Sequence, residues 1–147
     1  MLIRYSAIIL LLLLSSTLCF AKNVIFIEKN IGKEIFQKTE NGDTRSTYLG
    51  KITDKNQKNR FYVVKEFSRI KAAMVYHGNS WLIFYSPNKK FKARYHFDMP
   101  NELPFKLTTN TLYFYDTDEK PVKVLAFKIN SRLPKQIFNS STISFTQ

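Results

Sequence analysis

Short runs of β-branched and aromatic residues, each broken by a polar turn, recur along this chain. They fall at residues 24–28, 34–38, 46–52, 61–67, 70–76, 81–85, 90–97, 111–115 and 122–129, with a weaker run at 142–145. Branched and aromatic side chains pack well on a pleated surface, so such runs predict strands. Gly42-Asp43, Gly78-Asn79, Pro87-Asn88 and Asp116-Thr117-Asp118 read as the turns between them. One stretch admits two readings. Val63, Phe67, Ile70 and Met74 fall at helical spacing, and Gly78 could cap a helix over about 60–77. The strand propensity of Phe61-Tyr62-Val63-Val64 favours two strands there instead. The pattern therefore predicts a mainly β chain: a single small antiparallel β-domain, sandwich or barrel-like. An α+β fold with that one helix is the alternative.

The alternation is sharpest at 90–97. Lys90, Lys92, Arg94 and His96 alternate with Phe91, Ala93, Tyr95 and Phe97, and a period of two sends the two sets to opposite faces. Two-residue loops at Gly78-Asn79 and Asn88-Lys89 would set the neighbouring register. Tyr76 then opposes Trp81, Trp81 opposes His96, Ile83 opposes Arg94 and Tyr85 opposes Lys92. One face collects Ala73, Val75, Leu82, Phe84, Phe91, Ala93 and Tyr95, which predicts the core. The other interleaves aromatic and basic residues. Tyr76, Trp81, Tyr85, Lys92, Arg94 and His96 are accordingly the candidate binding residues, with the aromatics suited to cation–π stacking or to anchoring a protein interface.

The N-terminus departs from this pattern. Arg4 precedes an apolar run from Ala7 to Leu14, and Cys19 and Ala21 stand at the small-residue positions before polar Lys22-Asn23. That layout is a secretory signal peptide over residues 1–21, removed after Ala21. A spanning anchor needs about 20 apolar residues, more than this run offers. Lipid attachment at Cys19 is disfavoured because Leu18 precedes it. The expectation is an exported domain over 22–147, periplasmic or secreted.

Composition narrows the chemistry. The only cysteine lies in the signal, so the exported domain folds without a disulfide and relies on apolar burial. The formal net charge is +12, and only Arg4 of its cations falls in the first 21 residues. The lysines are dispersed, which suits a solvated surface or attraction to an anionic glycan or to lipid headgroups at a membrane surface. A nucleic-acid partner is disfavoured by export and by the lack of a binding motif.

Catalytic groups are scarce. His77 and His96 are the two histidines, and no thiol remains to pair with them. His96 and Asp98 sit on one side of a strand and suggest a small hydrolase, without an identifiable nucleophile. Asp116, Asp118 and Glu119 lack the glycine and distant glutamate of a calcium loop, so no metal or cofactor is expected. The sequence thus points to a non-enzymatic exported binding domain. It recognises another envelope or secreted protein through its aromatic and basic face.

Overall fold

The computed structural model describes residues 26–116, 119–130, 132–138 and 140–145. The signal-peptide reading concerns residues outside that set. Among the described residues nine strands form two antiparallel sheets: β1 (Glu34–Thr39), β2 (Gly42–Thr53), β3 (Asn59–Ala72), β4 (Val75–Tyr85), β5 (Phe91–Phe97), β6 (Lys106–Thr108), β7 (Thr111–Asp116), β8 (Lys123–Lys128) and β9 (Ser141–Phe145). The large sheet runs β1-β2-β3-β4-β5-β9 and the small one β6-β7-β8. The mainly β antiparallel domain expected from the alternation is what forms, and of the sandwich and barrel-like forms the two sheets fit a sandwich.

The helix over 60–77 does not form. Short 3-10 turns at Glu28–Asn30 and Pro100–Glu102 are the helical elements among the described residues. Phe61 to Ala72 belongs to one long strand instead, which joins the predicted run at 61–67 to the first three residues of the run at 70–76. Of the run at 24–28, Phe26 and Ile27 are not in a strand and Glu28 opens a 3-10 turn, while Val24 and Ile25 lie outside the described residues. β6 carries no signal of its own, being three residues long.

One face of the large sheet packs on the small sheet. Leu49, Ile52, Val63, Leu82, Phe84, Ala93, Tyr95 and Phe97 meet Leu112 and Phe114, and Ile129 and Ile137 close the side. Tyr95 is fully buried yet satisfied, its hydroxyl donating to the Pro134 carbonyl at 2.6 Å; burial pushes that phenol up to about 12. Gly50, at φ +133°, follows a bulge that inserts Leu49 into the core, a backbone conformation that excludes side chains. Asn110 ties the two sheets, accepting from the Thr53 N–H at 2.9 Å and donating to the Thr53 carbonyl at 2.6 Å.

The β3–β4 hairpin corrects the predicted register. Its turn is Ala73-Met74, not Gly78-Asn79, and Ala72 pairs with Val75. Gly78 lies inside β4 opposite Arg69, and a Cβ there would come within 3.2 Å of the Phe67 ring. The glycine makes room for an aromatic ring and does not turn the chain. Packing explains the choice. The observed register sets Tyr62, Val63 and Val64 against Tyr85, Phe84 and Ile83. A turn at Gly78-Asn79 would have offered only Ala72, Ala73 and Met74 to those large side chains. Ala73 and Val75, expected in the core, are exposed at the tip.

Candidate binding groove

The second face of the large sheet is not covered by the small sheet. At one end it seals itself: Tyr48, Val64, Ile83 and Tyr85 are buried, with Phe26, Tyr62, Trp81 and Phe91 packed against them. Phe26 stacks on Tyr62, ring centroids 4.6 Å apart, and meets Tyr48 edge-on at 5.5 Å. Burial among these rings raises the Tyr48 and Tyr85 phenols to about 12.

Beyond this seal lies an open groove of about 320 Å³, with Trp81, Arg94 and Glu66 beside a floor of Ile83, Tyr85 and Phe91. The β4–β5 register places Trp81 opposite His96 and Ile83 opposite Arg94. Arg94 reaches diagonally across the strands to lie over Trp81, guanidinium carbon 4.2 Å from the ring centroid. His96 meets the same indole at 4.8 Å. Arg94 Nε is buried and has no hydrogen-bond partner among the described residues.

Glu66 stands opposite Trp81 on β3. Burial raises its carboxyl above the usual range, against the opposing pull of the Ser46 hydroxyl, which donates to it at 3.2 Å, and of Arg94. The groove therefore holds both signs of charge on an apolar and aromatic floor.

Of the six candidate residues, Trp81, Tyr85 and Arg94 line this groove and His96 flanks it. Tyr76 does not belong to it. It pairs with Lys71 near the hairpin tip, five positions from Trp81, an odd step that sends it to the other face. Lys92 is also displaced. A register shift between Phe84 and Tyr85 brings Phe91, not Lys92, opposite Tyr85, and leaves Lys92 as the bulged residue. The same bulge turns Phe91 out of its expected core position and onto the groove floor. Glu66, Phe91 and Phe26 were not legible as site residues, because Glu66 depends on the β3–β4 turn, Phe91 on the bulge at Lys92 and Phe26 on a contact between distant segments.

His96 and Asp98 are close but not coupled: Nδ1 and Oδ1 lie 3.9 Å apart, longer than the hydrogen bond by which a carboxylate orients a base, and Asp98 is exposed. Among the described residues no three acids, histidines or cysteines gather as a metal site. No protein-family model matches this chain, and no curated protein or solved structure matches it either.

Proposed function

We propose that this chain is a non-catalytic binding domain that takes an apolar segment of a protein partner into the Trp81–Arg94 groove. It works outside the cytoplasm, on another envelope or secreted protein. The observation that carries this reading is Arg94. Its charged face is stacked on Trp81, while a buried Nε–H still lacks an acceptor. A buried donor without a partner costs about 1–3 kcal/mol, and a ligand carbonyl that draws the guanidinium toward the open groove would recover it.

Glu66 selects among ligands. A groove that sets a carboxylate close to its arginine offers a polyanion no net positive charge and suits a peptide backbone, which presents both N–H and C=O groups. Anionic glycans and lipid headgroups thus fit this groove less well than a protein segment. The reading is tested by retention of envelope proteins on the domain at about 150 mM salt, where charges more than about 8 Å apart are screened. A discrete protein held by the wild type and lost by Trp81→Ala/Arg94→Ala supports it. Equal retention by both, confined to low salt, refutes it.

A further inference from the structure

We propose that the tip of the β3–β4 hairpin seats the domain on an anionic lipid surface. The apex at Ala73-Met74 lies outside the groove, while Ile70 at the base of the tip also lines it. From Arg69 to Gly78 every residue of the hairpin is exposed, and none joins either apolar cluster. Met74 is 89% exposed, with Ile70, Val75 and Tyr76 each more than half exposed. A water-facing tip of this length is ordinarily Asn-Gly, since both turn residues need left-handed backbone. Here Ala73 and Met74 take that conformation, at φ 48° and 69°. Turn chemistry alone disfavours both residues, so an apolar apex is not a by-product of the turn.

The pairing orders the side chains by depth. Met74 stands at the apex, then Ala72 with Val75, Lys71 with Tyr76, Ile70 with His77, and Arg69 with Gly78. Aliphatic groups lead and a tyrosine and a lysine follow, while the arginine behind them is held by Asp43. This is the polarity profile of a bilayer interface, where tyrosine sits at headgroup level and long cations reach the phosphates. At about 3.4 Å per residue, Met74 lies roughly 7 Å beyond the Tyr76 level, within the depth that interfacial elements reach. A protein pocket would receive the apex without requiring a lysine ranked behind it.

Charge favours the same surface. The β1–β2 turn docks beside the hairpin, Lys71 N–H donating to the Asn41 carbonyl at 2.7 Å. Lys71 and Lys38 there outnumber Glu40, since Arg69 is paired with Asp43. The net charge of +12 draws the chain toward negative headgroups.

The test is co-sedimentation of the chain from Lys22, which retains both apolar clusters, with vesicles of roughly one-third phosphatidylglycerol in phosphatidylcholine. Wild type should bind these and lose most binding on pure phosphatidylcholine. Ala73→Asn/Met74→Gly supplies the residues the turn prefers, so the hairpin persists while the apolar apex is gone. It should bind about tenfold or more weakly, and Lys71→Gln roughly fivefold more weakly. Trp81→Ala should bind vesicles as wild type does, which separates this proposal from the groove reading. Failure of wild type to bind anionic vesicles overturns the proposal, as does undiminished binding by the tip variant. So does a tip variant that loses a protein partner while wild type ignores the vesicles.

Discussion

Arg94 lies over Trp81 with its guanidinium carbon 4.2 Å from the indole centroid, although the strand register sets Trp81 against His96 and Arg94 against Ile83. The contact is diagonal across two strands, within reach of a long side chain. It shields one face of the tryptophan and leaves the groove side open.

Removing the guanidinium should therefore uncover Trp81. Arg94→Ala is expected to raise acrylamide quenching of the chain's single tryptophan, because the stacked guanidinium no longer covers the indole. Arg94→Lys should fall between, since a lysine keeps the charge without the planar stack. Unchanged quenching in the alanine variant would show that the stack does not exist in solution.

Glu66 predicts a pH effect of definite sign. Burial raises its carboxyl in the folded state, so the folded chain binds the proton more tightly than the unfolded one. Its contribution to stability is greatest below the ordinary value of 4.5 and is lost as pH rises through the higher folded value. Glu66→Gln should consequently be more stable than wild type at pH 7, with the gap closing toward pH 4. Asp43 and Asp54 carry the opposite sign, held low by a hydrogen bond from Arg69 and by the Lys58 N–H respectively, and are common to both proteins. Urea midpoints across that range settle the matter; a constant gap contradicts it.

Asn110 joins the sheets through two hydrogen bonds to Thr53 and holds left-handed backbone at φ 62°. Asn110→Gly should cost about 2 kcal/mol, the loss of two hydrogen bonds. Asn110→Ala should cost about 1 kcal/mol more, because alanine resists that backbone. Equal costs in urea unfolding would mean that the backbone conformation plays no part.

Gly42 begins β2 with the Arg69 carbonyl pressed where a Cβ would stand, so no flexible side-chain end can yield. Gly42→Ala should destabilise by about 2 kcal/mol or more through forced movement of β3. Gly78→Ala meets only the edge of the Phe67 ring and should cost less. The order of the two melting temperatures checks the assignment of Gly78 to a strand interior.

Local pattern made much of the fold legible. The period-two alternation of 90–97 and the branched runs at 34–38, 111–115 and 122–129 correspond to β5, β1, β7 and β8. The Trp81–His96 and Ile83–Arg94 pairs emerged for a less direct reason. The β4–β5 loop spans three residues, Pro87 to Lys89, with Lys89 at φ 61°, where two were expected. The bulge at Lys92 then restores the register that the longer loop had shifted. Two departures cancel for Arg94 and His96 but not for Lys92 or Phe91.

The β3–β4 turn was illegible for a physical reason. Gly78-Asn79 has the better turn chemistry, yet local preference at two residues is small beside burial of Tyr62, Val63 and Val64 against β4. That tertiary term also decides where Tyr76 and Glu66 fall. One leaves the predicted face and the other joins it.

The most direct measurement of the central reading uses the single tryptophan as a label. With 5-fluorotryptophan at position 81, the domain gives one 19F resonance at the groove wall. Adding envelope protein at about 150 mM salt should shift or broaden that resonance, and Arg94→Ala should abolish the response. A partner retained by the domain while the resonance stays unchanged would place binding elsewhere and contradict the groove.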